Sequence, residues 1–136
     1  MGNRNNEIKL LYHGQKQRDK EVLGYARSLT DHQLNETDIS TTQLTARQLA
    51  EIADDLGIEI EELVDKHEGK YREIIKKGEF SDDEWLKLLV NNPELIRSPI
   101  AYINNEATNI KSQYSLIKQD MNIGGVKSEK GNKFEK

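Results

Sequence analysis

Residues 92–100 read Asn-Pro-Glu-Leu-Ile-Arg-Ser-Pro-Ile, and this stretch decides how the second half of the chain is organised. Its first two residues end an amphipathic helix, because a proline cannot continue the helical hydrogen-bond pattern. That helix begins at Ser81-Asp82-Asp83-Glu84, which has the form of a capping box with acidic residues in the first turn. The stretch itself leads into an apolar run that starts at Ile100 and is typical of a strand.

The chain beyond this stretch predicts a hairpin and then a last helix. Ile100 to Ile103 and Ala107 to Ile110 flank Asn104-Asn105, a pair suited to a tight turn. A helix is expected over residues 112–121, where apolar side chains recur at helical spacing.

The first half of the chain alternates strand and helix. Residues 8–12 are rich in strand formers and stop at Gly14, which predicts a first strand that ends in a loop. Residues 19–29 carry apolar side chains at helical spacing, and Asp19 is the expected N-cap. Residues 33–39 alternate weakly and predict a second strand.

Helical segments fill the middle of the chain. Thr45-Ala46-Arg47-Gln48 forms a capping box, and Gly57 is expected to end the helix that follows. Residues 59–65 and 71–77 predict two shorter helical pieces interrupted at Gly69. The whole order of elements predicts an α/β fold of the thioredoxin-like type, a small mixed sheet with helices on both faces.

Three segments in this order resemble the arsenate reductase (ArsC) and Spx family of thioredoxin-fold proteins. They are residues 8–13 (Ile-Lys-Leu-Leu-Tyr-His), residues 44–58 and residues 80–100 with their Leu-Ile-Arg-Ser-Pro-Ile box. The resemblance implies one ArsC/Spx-like domain over residues 7–121, with residues 1–6 as a disordered N-terminus and residues 122–136 as a flexible polar tail. It also implies that Pro99 is cis, so that Arg97, Ser98 and Pro99 form a cis-proline box facing the active-site loop.

The sequence departs from this family where its chemistry is done. The loop after the first strand, where the reductases present a catalytic cysteine, reads His13, Gly14, Gln15, Lys16, Gln17, Arg18, and the whole sequence contains no cysteine. By resemblance, the cysteine position falls on Lys16 or Gln17. Neither residue has a sulfur atom that could form an adduct or a disulfide, so no catalytic residue is predicted.

The oxyanion-binding arginines of the family are also replaced. By resemblance, their positions correspond to Asp65, Ser98 and Thr108. Arg97 lies one position from the usual arginine and could partly substitute for it, but a one-residue shift in a strand points the side chain to the other face, so the favoured interpretation is that it does not substitute.

Two readings remain open for the polar residues of the loop. Lys16, Arg18 and Lys20 could bind a small anion beside a helix start, but a solvated loop is the favoured interpretation. His13 could act as a general base, yet a hydrogen-bonded loop residue is the more ordinary role. His32 and His67 lack the spacing of a metal site, so no metal is expected.

Composition excludes several functional classes. The 136 residues carry a net charge of −4 without a basic face, so direct binding of nucleic acid is not expected. No run is apolar enough to span a membrane and the N-terminus lacks the apolar core of a signal peptide, so a cytoplasmic protein is expected.

These observations favour a noncatalytic binding or regulatory module with a protein partner and no cofactor. The alternative is a glutathione-dependent oxidoreductase, in which the bound tripeptide supplies the thiol. The oligomeric state and the partner's identity stay open.

Overall fold

The computed structural model describes residues 7–29, 32–75 and 80–110. The expected helix at residues 112–121, the N-terminal segment 1–6 and the tail at residues 122–136 lie outside this part of the chain, as do the last two residues of the helical piece expected at 71–77.

Four strands form one mixed sheet. They are β1 (Glu7–Tyr12), β2 (Gln33–Asp38), β3 (Ile100–Ile103) and β4 (Glu106–Asn109), in the spatial order β2-β1-β3-β4. β1 pairs in parallel with β2 and antiparallel with β3, so that Leu10 lies between Glu36 and Ala101. The mixed sheet expected from the order of elements is confirmed.

Helices cover both faces of this sheet. The helices are α1 (Gln17–Arg27), α2 (Ala46–Leu56), α3 (Gly69–Ile75) and α4 (Asp82–Asn91). Because successive side chains of a strand point to opposite faces, Ile8 and Leu10 pack against α1, whereas Leu11 packs in the cluster that includes α2 and α4. The result is the layered α/β thioredoxin-like fold that the sequence predicts.

Capping residues define the ends of α2 and α4, the two helices that pack on the same face of the sheet as Leu11. Thr45 Oγ1 accepts a hydrogen bond from the Gln48 N–H at 3.1 Å, and Gln48 Oε1 accepts one from the Thr45 N–H at 2.9 Å. Ser81 and Glu84 form the same reciprocal pair at the start of α4. Gly57 ends α2 with a φ of 72°, a left-handed conformation in which glycine carries no Cβ penalty.

The hairpin forms around the expected turn, with its second strand one residue earlier than predicted. Asn104 and Asn105 have φ values of 55° and 67°, which is the left-handed pair that a two-residue hairpin turn requires. β4 therefore begins at Glu106 rather than Ala107, because the turn contains only the two asparagines.

The prediction for residues 59–65 and 71–77 is partly wrong. Within residues 59–65 only a single 3₁₀ turn forms, at Ile60–Leu63. Gly69 does not interrupt a helix but begins α3, which includes the first part of the segment predicted at 71–77. The chain leaves the helical conformation after Leu63 because its backbone pairs with the stretch before Pro99. The Asp65 N–H donates to Leu95 O at 2.6 Å, and the Arg97 N–H donates to Leu63 O at 2.8 Å.

Every helix within the described ranges is too short to cross a bilayer, since the longest, α1 and α2, have 11 residues each.

Replacing the capping residue of α2 tests its contribution to stability. Thr45→Ala removes the oxygen that satisfies the Gln48 N–H, and we expect the free energy of unfolding to fall by about 1 kcal/mol. Thr42→Ala, at an exposed position whose hydroxyl makes no hydrogen bond with the described residues, is the matched control. Equal values for the two variants in urea denaturation would contradict the capping role.

Candidate functional site

The loop between β1 and α1 is held from within by His13. Only 6% of this residue is exposed; its main-chain N–H donates to Asp19 Oδ2 at 2.8 Å, and its ring Nδ1 accepts from the Gln15 N–H at 3.2 Å. A ring nitrogen that accepts a main-chain proton within its own loop is not available there as a base. The geometry is that of a hydrogen-bonded loop residue.

The start of α1 differs from the prediction. Lys16 is the N-cap but its side chain does not cap the helix, whereas Asp19, the expected cap, is the third helical residue and fully buried. The expectation for Asp19 was wrong because its carboxylate points inward: Oδ2 accepts from Ser98 Oγ at 2.5 Å as well as from the His13 N–H. Oδ1 is also buried and has no hydrogen-bond partner within the described ranges.

The cis-proline box lies directly across from this loop. The Ser98-Pro99 peptide bond is cis, as the resemblance implies. The box is fixed from two sides, because the Arg97 N–H donates to Leu63 O and Asn109 Nδ2 donates to Arg97 O at 2.7 Å. With Ser98 bonded to Asp19, the box, α1 and β4 are joined at one place.

Lys16 occupies the centre of the site. Its Nζ donates to the Glu94 carbonyl oxygen at 2.7 Å and lies 3.5 Å from Asp65 Oδ2, with 17% of the Lys16 side chain and 12% of the Asp65 side chain exposed. Asp65 Oδ1 also accepts from the His67 N–H at 3.0 Å. The favoured reading of a solvated loop is therefore wrong for Lys16, although Arg18 and Lys20 are exposed as that reading expects.

The chemistry of this pair is reversed in charge relative to what the resemblance describes. A thiolate is expected in the family near Lys16 or Gln17, and an arginine at the position of Asp65. Here Gln17 is exposed and reaches Glu21 on its own helix at 3.4 Å, so Lys16 is the side chain that points across the site. A cation and a carboxylate thus replace a nucleophile and a guanidinium.

Asp38 holds the loop from the end of β2, and the sequence reasoning did not find it. Its Oδ1 accepts from the Gly14 N–H at 2.9 Å, from the Ser40 N–H at 2.9 Å and from Ser40 Oγ at 2.6 Å. Partial burial by itself would raise the pKa of this carboxyl, but the hydrogen bonds from Ser40 and Gly14 lower the pKa below its ordinary value. The signal in the sequence is an aspartate two residues before a serine, a pattern typical of a local Asx turn.

A cleft of about 520 Å³ opens beside the Lys16–Asp65 pair. Its polar and charged walls include Arg18, Glu62, Asp65, Lys66, Arg97 and Ser98. The one-residue offset does not turn Arg97 away: it faces this cleft while its Nη1 donates to Glu62 O at 2.9 Å. The sequence reasoning missed Lys66, because nothing local marks a lysine that only the fold brings beside α1.

Metal-binding groups are not assembled in the described part of the chain, where no three His, Cys, Asp or Glu side chains converge.

Gly14 is required by the carboxylate that presses against it. A Cβ at this position would lie 2.2 Å from Asp38 Oδ2, so Gly14→Ala must displace the carboxylate or the loop, and we expect a loss of about 1 to 3 kcal/mol in unfolding free energy. Gly24→Ala is the control, because nothing lies within 4 Å of its Cβ in the middle of α1. That variant should instead gain about 0.5 to 1 kcal/mol. Calorimetry showing the same sign for both would contradict the steric argument.

The lowered pKa of Asp38 makes part of the stability depend on pH. A carboxyl with a depressed folded pKa stabilises the protein above its unfolded pKa, and that contribution is lost as the pH falls through the folded pKa. The wild type should therefore exceed Asp38→Asn in unfolding free energy at neutral pH, and the difference should shrink below about pH 4. Asp54→Asn, at an exposed position of α2, is the control and should have little effect. A difference that grows towards acid pH would be inconsistent with this account.

Comparison with known proteins agrees with the fold. A solved structure of an arsenate reductase from Vibrio cholerae superposes with a TM-score of 0.71 at 18% identity, covering 82% of this chain and 96% of that one. A solution NMR structure of a Staphylococcus aureus protein gives a TM-score of 0.61 at 27% identity, covering 79% and 94%. No curated protein matches the chain significantly. The model of the ArsC family matches residues 16–110, which is more than half of the sequence, and the chain therefore belongs to the ArsC family.

Proposed function

We propose that this chain is a noncatalytic member of the ArsC family that acts as a binding or regulatory module for a protein partner. The observation that carries the proposal is the position of the Lys16 ammonium, which lies on the Glu94 carbonyl oxygen and beside the Asp65 carboxylate. An internal cation thereby occupies the centre of the former reaction site.

The chain lacks the nucleophile that thiol chemistry needs. Reduction through a sulfur adduct, or through thiol–disulfide exchange, begins with attack by a thiolate. The sequence holds no cysteine, and Lys16 engages its ammonium protons with oxygen acceptors. A protonated amine that is hydrogen-bonded in this way has no lone pair for attack.

The electrostatics also disfavour an oxyanion at the start of α1. Two carboxylates flank this helix end, Asp19 buried beneath it and Asp65 across from it. A tetrahedral oxyanion at this position would meet Asp19 on one side and, on the other, an Asp65 carboxylate that Lys16 only partly neutralises, whereas a helix start normally favours an anion. These two acids therefore offset the stabilisation that the start of α1 would otherwise give to arsenate.

The second candidate is a glutathione-dependent oxidoreductase. The specific observation in its favour is the cleft beside the cis-proline box, where Arg18, Lys66 and Arg97 could hold the carboxylates of a tripeptide thiol. In that case the thiol would come from the bound molecule and Lys16 would take no part in the reaction.

Turnover assays separate the two candidates. The purified protein is incubated with arsenate, and separately with a small disulfide, each with and without glutathione. A cysteine-containing ArsC-family reductase serves as the positive control. We expect rates equal to those of the reagents alone. Reduction that depends on the protein and on glutathione would establish the second candidate, and reduction by the protein with dithiothreitol as the reductant in place of glutathione would overturn both.

The variant Lys16→Cys supplies a positive control within the same scaffold. It places a thiol at the N-cap of α1, where the helix dipole favours the thiolate. We expect this variant to be modified by a thiol reagent in the folded state while arsenate turnover stays absent, because Asp65 remains opposite. Arsenate reduction by Lys16→Cys alone would contradict the role given to Asp65.

A further inference from the structure

We infer that the cleft beside Lys16 binds an acidic, extended peptide segment of a partner protein through Arg18, Lys66 and Arg97. This inference rests on the proposed function, because it names the chemistry of the partner at the same site. The juxtaposition that carries it is three cationic side chains from three separate segments, gathered around one open cleft in a chain of net charge −4.

Positive charge exceeds negative charge in the wall of the cleft once contacts within the chain are counted. Asp65 is partly neutralised by Lys16 at 3.5 Å, and the Glu62 carboxylate accepts the Glu59 N–H at 3.0 Å as part of a capping box. Asp65 is therefore the acid whose charge is reduced, whereas Glu62 keeps its charge, and the three cations of the wall still outnumber its acids. The cations keep donors to spare, because Arg97 uses Nη1 on Glu62 O and a guanidinium has five N–H groups.

Arg18 has the most freedom of the three. It is exposed in the first turn of α1, and no acceptor for it lies within the described ranges. Lys66 lies 3.7 Å from Glu61 Oε2, but both side chains are about half exposed, so water screens that contact. An incoming carboxylate can thus bind Arg18 without breaking an internal bond, and can compete with Glu61 for Lys66.

The arrangement of the cations favours a segment rather than a single small anion. Arg18 belongs to α1, Lys66 to the loop after the 3₁₀ turn and Arg97 to the cis-proline box, so an anion that meets all three cations must contact three separate segments of the cleft wall. The start of α1, where an inorganic oxyanion would gain most from the helix, is taken by Lys16 on Glu94 O. Several spaced carboxylates match this distribution, and Arg is well suited to bind each of them in a bidentate way.

Binding of a labelled peptide tests the inference directly. The probe is a fluorescein-labelled peptide of alternating glutamate and serine, compared with the same peptide containing glutamine, and the readout is fluorescence anisotropy with the full chain. We expect saturable binding of the glutamate peptide alone, weakening as salt is raised. Arg18→Glu should weaken it at least about tenfold, the effect of losing one charge-assisted contact.

The control variant is Arg47→Glu, which makes the same change in net charge on α2. The Arg47 side chain is 89% exposed and lies outside the cleft, so this variant should bind the peptide like the wild type. Folding of both variants is checked by circular dichroism. Because Arg18 has no internal partner to lose, its variant should keep the wild-type melting temperature.

Each other outcome overturns the inference. Equal weakening by Arg18→Glu and Arg47→Glu would mean attraction by net charge alone. Binding of the glutamine peptide would mean that the carboxylates are not recognised. If the peptide does not bind but calorimetry shows saturable binding of glutathione or inorganic phosphate in the cleft, the cleft is a small-anion site instead. The peptide measurements do not report on turnover, so this inference can fail while the arsenate and disulfide assays still show no reduction and the proposed function stands.

Discussion

The buried carboxylate of Asp19 is the interaction on which the site's geometry depends. It joins the end of β1, through the His13 N–H, to the cis-proline box, through Ser98 Oγ, from a fully buried position in α1. A buried charge is tolerated only where donors surround it, so the three segments that meet at Asp19 constrain one another. Lys16 lies three residues before this junction and Arg97 directly beside Ser98, so both cations are attached to segments that Asp19 holds together.

Lys16 is the residue in which the conserved ArsC fold and the altered loop of this chain meet. An ion pair at this degree of exposure adds little net stability, because the gain in Coulomb energy is offset by desolvation and by the ordering of a long side chain. The effect of Lys16 is instead that its side chain fills this position and that its charge is positive. A cation now lies where the resemblance expects the family's nucleophile, and a carboxylate lies where it expects an arginine.

The cationic cleft and the closed centre are complementary aspects of the same arrangement. Lys16 neutralises Asp65, and without that pair the acids of the wall would cancel much of the charge of Arg18, Lys66 and Arg97. The same lysine therefore supports both the proposed noncatalytic role and the proposed carboxylate-binding surface. Membership of the ArsC family does not by itself give the function of this chain, since one fold hosts many activities.

Much of the architecture could be predicted from the sequence, because it depends on local patterns of residues. The capping boxes at Thr45 and Ser81, the left-handed end of α2 at Gly57 and the asparagine turn all depend on residues within a few positions of one another. Resemblance to the family added the cis bond before Pro99, and the missing cysteine could be counted. What the sequence determined by itself was therefore the order of elements, the fold class and the absence of a thiol.

Only the tertiary structure decided what the polar residues of the site do. Asp19 has the residue type and position of a helix cap, yet it turns inward because Ser98, distant in sequence, offers a donor there. Lys16 looks like a solvated loop residue until the fold brings Glu94 and Asp65 within its reach, and residues 59–65 leave the helical conformation because the chain before Pro99 pairs with them. In each case a long-range partner overrides a local preference of at most a few kcal/mol, and such partners exist only once the chain has folded.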